Sequence, residues 1–317
     1  MKKRILVALI MLTVLGGAFA LRLIDTYGVY FFDFFVAFLS IFCAYEFSKL
    51  ISQNKTPASS IASALFPSFM FAGHSVFFVF DLEFYYYVII QASILAFSFL
   101  LTLIVYVCLN SKEAIEYRQN NNLSRFNFGI RIASKTFLTF LYPSMFFLTL
   151  MLLNRIDALQ SANIALFGGN LGWIVLIVAF TIPIITDTFA MLGGMTFKGP
   201  KLCKKISPNK TISGAITALV LTSGVAIAMF YIFSAFDVIK NAFLTLNIQV
   251  WHFALLGFFG AIVCQAGDIF ESFIKRKAGV KDSGNVFPGH GGFLDRLDSH
   301  IFNAPYVLTF FLLLILI

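Results

Sequence analysis

Charged side chains are scarce in this sequence: they make up 12% of its 317 residues, where a soluble domain carries about 25%. Apolar residues make up 59%, and 41 Phe and 11 Tyr are among them. No polar stretch between the apolar runs is long enough for a soluble domain of ordinary size. The composition therefore excludes a soluble globular protein and indicates a chain that crosses a membrane many times.

Cysteine is also scarce, and two familiar motifs are missing. The four cysteines form no Cys-x-x-Cys or Cys/His pattern, so neither a disulfide framework nor a zinc site is indicated. No Gly-x-x-x-x-Gly-Lys-[Ser/Thr] occurs, which excludes a P-loop NTPase. The net charge of +8 needs no nucleic-acid partner, because membrane topology and anionic lipid explain a basic inner face.

The apolar runs predict an all-α, polytopic integral membrane protein with about nine transmembrane helices. We expect a single membrane domain over residues 1–317. Residues 1–165 would form the N-terminal transmembrane helices, the first of them uncleaved. Residues 170–317 would form a catalytic region with loops 191–211 and 268–300. The predicted spans are 5–23, 28–50, 60–80, 84–109, 132–154, 170–190, 212–235, 245–267 and 302–317.

Lysine and arginine are distributed unequally between the two sides of these spans. A cytoplasmic N-terminus assigns 20 of the 23 Lys and Arg residues to the inner side and leaves Arg22, Arg155 and Lys240 outside. This asymmetry supports both the number of spans and their direction. One missed or extra span would move many of the Lys and Arg residues to the opposite side and remove the asymmetry. We therefore expect loops 191–211 and 268–300 on the cytoplasmic side of the inner cell membrane.

The stretch from Asp268 to Ser299 is the most polar part of the C-terminal half. In a helix, Asp268, Ser272 and Lys275 would share one face with Glu271. Further carboxylates and basic side chains follow within the same stretch. Carboxylate oxygens hold a hard cation, and Lys, Arg and loop amides bind phosphate. This combination is what a magnesium–nucleotide site requires.

A second polar stretch follows the sixth predicted span. Asp187 would lie at the cytoplasmic end of an apolar helix, where an ionisable group indicates function. Ser207 and Pro208 are expected to open the next helix, with Lys210 and Thr211 in or near its first turn. A helix N-terminus with a lysine and hydroxyl groups binds phosphate well.

Polar residues in the N-terminal half are weaker candidates. Glu46 and Lys49 lie at the inner end of the second predicted span, where they could pair or line a cavity. Asp33 is expected to be hydrated or paired. His74 lies among apolar residues and is interpreted as a core histidine with satisfied hydrogen bonds.

Together, the two C-terminal polar stretches resemble the phosphatidate cytidylyltransferase (CDP-diacylglycerol synthase) family. That family's signature runs Ser-x-x-Lys-Arg, then Lys-Asp, a Pro-x-His-Gly-Gly loop and Asp-Arg-x-Asp. The matching positions are Ser272, Lys275, Arg276, Lys281, Asp282, Pro288, His290, Gly291, Gly292, Asp295, Arg296 and Asp298. The segment from Asp187 to Gly214 resembles a second family region. The sequence departs from the family pattern at Met191, Ile212 and Ser213.

The resemblance implies transfer of the cytidylyl group of CTP to phosphatidate, giving CDP-diacylglycerol and pyrophosphate. It implies Mg²⁺ as cofactor, leaves open a second monovalent or divalent cation, and favours a homodimer. The metal ligands would be Asp268, Asp295 and Asp298. The catalytic residues would be Lys275, Arg276, Lys281, Asp282, His290 and Arg296. The substrate-binding residues would be Asp187, Ser207, Lys210, Thr211, Ser272, Gly291 and Gly292.

Two alternatives remain open at this point. One is a related membrane nucleotidyltransferase that acts on another lipid phosphate. The other is a non-catalytic transporter or scaffold. A transporter would carry polar residues or helix breaks near the membrane midplane in paired halves, whereas the strong charges here fall at one predicted interface.

Overall fold

The structure, a computed structural model, describes residues 13–22, 25–52, 59–80, 82–109, 112–159, 162–287 and 291–316. Within these ranges the chain is almost entirely helical, which confirms the predicted all-α class. The predicted site residue His290, with Pro288 of the same loop, lies outside the described residues.

Eight helices of the described residues are long and apolar enough to cross a membrane. They confirm a multi-pass membrane protein. The predicted first span, 5–23, is described only in part, as a short helix over Thr13–Arg22. The eight spans are Tyr27–Ser52, Ser60–Val79, Phe84–Cys108, Arg125–Asn154, Leu171–Phe197, Ile212–Phe233, Val250–Lys277 and Leu294–Ile315.

The chain divides into two compact units. Unit 1 comprises the described residues of Met1–Leu148 and Lys277–Asp295, and unit 2 comprises those of Thr149–Arg276 and Arg296–Ile317. The helices that begin in the first part of unit 1 are α1 (Thr13–Arg22), α2 (Asp25–Ser52), α3 (Ser60–Val79), α4 (Phe84–Cys108), α5 (Lys112–Asn120), α6 (Arg125–Thr139) and α7 (Met145–Asn154).

In unit 1, α3 packs against both α2 and α4, and α4 packs along α6. Hydroxyl groups join these apolar helices: Thr139 Oγ1 donates to Ser63 Oγ at 2.8 Å, and the Ser59 amide donates to Thr136 Oγ1 at 2.9 Å. Ser59 also caps α3, because its side chain accepts from the Ala62 amide. A π-helical turn, Phe140–Ser144, separates α6 from α7.

Unit 2 is built on the close pair α9 and α10. Gly214 lies against the Ala190 carbonyl oxygen, where a Cβ atom would have no room. Small residues allow such backbone approach between membrane helices. The elements that complete this part of the chain are α8 (Ala162–Ala165), α9 (Leu171–Phe197), β1 (Lys201–Cys203), β2 (Ser207–Thr211), α10 (Ile212–Phe233), α11 (Asp237–Thr245), α12 (Val250–Lys277) and α13 (Leu294–Leu316).

The expectation that Ser207 and Pro208 open a helix is wrong. Residues Ser207–Thr211 form β2, which pairs antiparallel with β1 in a register of Cys203 with Ser207. The helix begins only after Thr211, whose side chain accepts from the Gly214 amide at 3.1 Å and so caps α10. Lys210 therefore lies on a strand and not in a first helical turn, because the backbone around it pairs with β1.

Three helices extend further into the polar stretches than the hydropathy predicts. α9 continues to Phe197, so Asp187 lies within that helix and not at its end. α12 continues to Lys277, and α13 begins at Leu294. The polar residues at these helix ends lower the local hydropathy without interrupting backbone hydrogen bonding. Among the described residues of the predicted loop 268–300, the non-helical ones are therefore 278–287 and 291–293, and these residues are called loop 278–293 below.

Candidate active site

Asp268 and Lys210 form the centre of the polar cluster in unit 2. Asp268 lies on α12 and forms an ion pair with Lys210 of β2. Ser272, one helical turn further along α12, donates its hydroxyl to Asp268 Oδ1 at 3.4 Å. The side chains of Lys210 and Asp268 are 24% and 28% exposed, so both remain accessible to a polar ligand.

Two more carboxylates belong to this cluster. Asp298 of α13 and Asp187 of α9 interact electrostatically with Asp268 and with each other. The Ser299 amide donates to Asp298 Oδ1 at 2.7 Å, and the Ser299 hydroxyl lies 3.5 Å from Asp187 Oδ1. We refer to Asp187, Lys210, Asp268 and Asp298 as the carboxylate cluster.

Basic residues at the end of α12 border the carboxylate cluster. Lys275 is buried and lies 3.2 Å from the carboxylate of buried Glu271. Lys275 also interacts electrostatically with Asp298. Arg276 is exposed and its Nε donates to the Ile206 carbonyl oxygen at 3.3 Å, which fixes the β1–β2 hairpin to α12.

The carboxylate cluster has the chemistry of a site for a hard cation and phosphate. The three carboxylates repel one another electrostatically, so a bound cation would relieve that repulsion. Among the described residues no group of three or more His, Cys, Asp or Glu side chains is arranged to hold a metal ion. This arrangement still fits magnesium, which is commonly bound by one or two carboxylates and completes its shell with substrate phosphates and water.

Unit 1 contains a different arrangement, around residues 278–293. Asp295 Oδ2 accepts hydrogen bonds of 2.8 Å from the Ser283 amide, the Ser283 hydroxyl and the Gly292 amide. Within the loop, the Phe287 amide donates to the Gly291 carbonyl oxygen at 2.9 Å. In unit 1 Asp295 thus holds two parts of the loop together. Its predicted role as a metal ligand stays a prediction.

Glu46 of α2 binds the same loop. Its Oε1 accepts from the Phe293 amide at 3.1 Å, and its Oε2 accepts from the Leu294 amide at 2.9 Å. The Ser283 hydroxyl lies 3.1 Å from Oε2. Only 4% of Glu46 is exposed. The carboxylate thus satisfies amides at the start of α13, where a negative charge also complements the helix dipole.

The glycines of the predicted Gly291-Gly292 motif make room for these carboxylates. A Cβ atom on Gly292 would overlap the Glu46 carboxylate, and one on Gly291 would overlap the Asp295 carboxylate. Gly291 also has a φ of +83°, in the region that favours glycine. Glycine is therefore required here by close approach and by backbone conformation.

The remaining predicted residues have simpler surroundings. Lys281 and Asp282 are exposed in unit 1, and Arg296 is exposed in unit 2. Ser207 lies on β2. Sequence reasoning missed Ser283 and Ser299, which contact the carboxylates. A lone serine in a polar loop gives no periodic signal that could have identified Ser283.

The weaker candidates of the N-terminal half also have defined partners. His74 Nε2 lies 3.5 Å from Asp33 Oδ2, and its Nδ1 lies 3.1 Å from the Tyr87 hydroxyl. All three residues are buried in unit 1. Lys49 Nζ lies 4.2 Å from the centre of the Tyr45 ring. The histidine is thus a core residue, as its apolar surroundings predicted, but its Nε2 has an ion-pair contact and no hydrogen bond among the described residues.

The fold and the carboxylate cluster define a class: a multi-pass membrane protein in which acidic and basic side chains from separate apolar helices gather in one place. Comparison with known sequences makes this specific. The sequence model of the cytidylyltransferase family matches residues 2–314 of the chain. The chain belongs to that family, and the predicted resemblance is confirmed.

Three curated relatives are similar to the chain, and each is named a phosphatidate cytidylyltransferase. The Rickettsia felis protein is 42% identical over 133 residues, 42% of this chain and 56% of that protein. The Staphylococcus haemolyticus protein is 41% identical over 127 residues, 40% of this chain and 45% of that protein. The chloroplastic protein 4 of Arabidopsis thaliana is 42% identical over 149 residues, 46% of this chain and 35% of that protein. The matches thus span about half the length of the bacterial relatives.

Proposed function

We propose that the protein transfers the cytidylyl group of CTP to phosphatidate and forms CDP-diacylglycerol and pyrophosphate. The observation that carries this proposal is the carboxylate cluster, in which Asp187, Asp268 and Asp298 interact with one another beside Lys210. Family membership and the names of the curated relatives support it. Such a cluster on apolar helices suits a reaction between a charged nucleotide and a lipid phosphate.

The chemistry requires little covalent work from the protein. A phosphate oxygen of phosphatidate attacks the α-phosphorus of CTP, and the bond from that phosphorus to the pyrophosphate oxygen breaks. The attacking phosphate is already anionic, so charge neutralisation and alignment contribute most of the rate enhancement. Lys210 and Lys275 would neutralise phosphate charge, and exposed Arg276 and Arg296 would be further cations.

Magnesium is part of the proposal. Asp268 and Asp298 would hold it, because both are half-buried carboxylates of the same cluster. When bound, magnesium neutralises charge on the triphosphate and favours departure of pyrophosphate. Lys210, which forms an ion pair with Asp268 in the structure, would then be available to bind a phosphate oxygen.

The location and assembly are also proposed. The asymmetry of lysine and arginine favours an inner-membrane protein with its site on the cytoplasmic side, where CTP is available. The acyl chains of phosphatidate would remain in the bilayer. A homodimer is the assembly that the family resemblance favours.

Pyrophosphate release tests the proposed activity. Purified full-length protein in mixed micelles is supplied with CTP, phosphatidate and Mg²⁺, and pyrophosphate and CDP-diacylglycerol are measured together. We expect both products in equal amounts, and neither with EDTA. Folded protein that releases no pyrophosphate above background would overturn the proposal. Parallel reactions with an isoprenoid phosphate, or with ATP, GTP or UTP, test for a relative with another substrate.

A further inference from the structure

We infer that Glu46 is a positioning residue for the family-signature residues of unit 1: through Ser283 and the amides of Phe293 and Leu294, it fixes loop 278–293 and the start of α13. The inference deepens the proposed function and rests on it for its catalytic consequence. It concerns a residue in the N-terminal half, 247 positions before Phe293. The Glu46 contacts described below all lie within unit 1.

The first argument is the number of groups that one buried carboxylate satisfies. Glu46 accepts from two consecutive amides, those of Phe293 and Leu294, and the Ser283 hydroxyl is also within hydrogen-bond distance. Amides at a helix start have no partner within the helix. Glu46 is only 4% exposed, and burying a carboxylate lowers the stability of the fold unless hydrogen-bond donors contact it. The loop and Glu46 therefore stabilise each other.

The second argument is the link between Glu46 and Asp295. The Ser283 hydroxyl lies 3.1 Å from Glu46 Oε2 and 2.8 Å from Asp295 Oδ2. It can donate its hydrogen to only one of them at a time. The two carboxylates thus share one hydroxyl, so a displacement of Glu46 alters the hydrogen bonding of Asp295 in the family signature.

The third argument is steric. A Cβ atom on Gly292 or on Gly284 would overlap the Glu46 carboxylate. Two separate points of the loop thus approach Glu46 more closely than any side chain would allow. The ring of Phe293 adds an apolar contact to α2, because its centre lies 5.0 Å from that of Phe42. The loop conformation is therefore matched to Glu46 in both polar and steric terms.

The first experiment measures the loop directly and needs no activity. Hydrogen exchange is followed by mass spectrometry on full-length Glu46→Ala in detergent, in the peptide that contains Phe293 and Leu294. We expect faster exchange there than in the wild type. Ser48→Ala is the matched control, because Ser48 is also a buried polar residue of α2 and hydrogen-bonds Ser60 Oγ at 3.1 Å. Unchanged exchange in Glu46→Ala would overturn the inference.

The second experiment separates positioning from general stability. For Glu46→Ala we expect kcat/KM to fall about 100-fold, mainly through kcat, because small misplacement of reacting groups costs that much. The melting temperature should also fall, because the loop amides lose their acceptor, so activities are compared at a temperature well below the unfolding transition of every variant. Glu46→Gln keeps the shape but has one acceptor oxygen, so it should give an intermediate loss. Activity in Glu46→Ala equal to that of Ser48→Ala would contradict positioning.

A double-variant cycle tests the contact itself. Gly292→Ala should lower kcat/KM in the wild type because its Cβ meets the Glu46 carboxylate. In the Glu46→Ala background the same change should cost little more, because the carboxylate is gone. Fully additive losses would overturn the proposed contact. If Glu46→Ala does not fold, Glu46→Gln takes its place in the first two experiments, and Glu46→Ser, which also lacks the carboxylate, takes its place in the cycle.

An inactive wild type would overturn the proposed function alone. The exchange experiment would still decide whether Glu46 holds the loop, because it measures amide protection and not turnover.

Discussion

Two groups of carboxylates, one in each unit of this protein, have different surroundings. In unit 1, Glu46 and Asp295 accept hydrogen bonds from amides and from one hydroxyl of loop 278–293. In unit 2, Asp187, Asp268 and Asp298 interact electrostatically with one another and with lysine side chains. Hydrogen bonds from neutral groups fix a backbone, whereas gathered like charges are costly and indicate a site that binds a cation. The acidic residues of unit 1 therefore have a structural role, and those of the carboxylate cluster have a proposed chemical role.

The largest effect is expected from the carboxylate cluster. Asp268→Asn should lower kcat about 1,000-fold, the range for loss of a group that stabilises transition-state charge. Pyrophosphate release measures the loss, and the melting temperature in detergent reports folding. The matched control is Asp237→Asn on α11, an exposed carboxylate of unit 2. If Asp268→Asn turns over as fast as Asp237→Asn, the carboxylate cluster of unit 2 has no catalytic role, and its difference from the unit 1 carboxylates has no functional meaning.

Asp295→Ala should also abolish most turnover, but unlike Asp268→Asn it should change hydrogen exchange in loop 278–293. Its loss frees the amides of Ser283 and Gly292, so their hydrogen exchange should accelerate. Asp268→Ala should leave exchange at these amides unchanged, because its described contacts lie in unit 2. Equal exchange in the two variants would show that Asp295 does not organise the loop.

Lys210→Met should lower kcat/KM about 100-fold. The change removes the positive charge that we propose to bind phosphate, and it leaves Asp268 without its ion pair. Initial rates at varied CTP concentration measure this loss. Lys240→Met is the control, because Lys240 is exposed on α11 of the same unit. If both variants retain wild-type kinetics, Lys210 does not bind substrate.

The smallest effect is expected at Ser272. Ser272→Ala removes one hydroxyl that donates to Asp268 Oδ1 at 3.4 Å, and such a bond contributes about tenfold or less. Ser223→Ala, which removes a hydroxyl bonded to the Leu219 carbonyl on α10, provides the comparison. A loss as large as that of Asp268→Asn would assign Ser272 a direct role with substrate.

Much of the candidate site could be predicted from the sequence. Asp268, Ser272 and Lys275 were placed on one helical face by their spacing, and α12 continues through all three. That spacing is a local property of a helix. The strand at Ser207–Thr211 could not be predicted in this way, because it depends on pairing with β1. The polar residues of Ser207–Thr211 are as typical of the start of a helix as of a strand.

By itself, the sequence determined that the chain is an all-α membrane protein of the cytidylyltransferase family. Hydropathy and the C-terminal motif suffice for these conclusions, since each is read along continuous sequence. Only the tertiary structure decided that Glu46 binds Ser283 and the start of α13. These partners are 237 to 248 positions apart. A hydrogen bond over such a separation exists only once packed helices bring its donor and acceptor together.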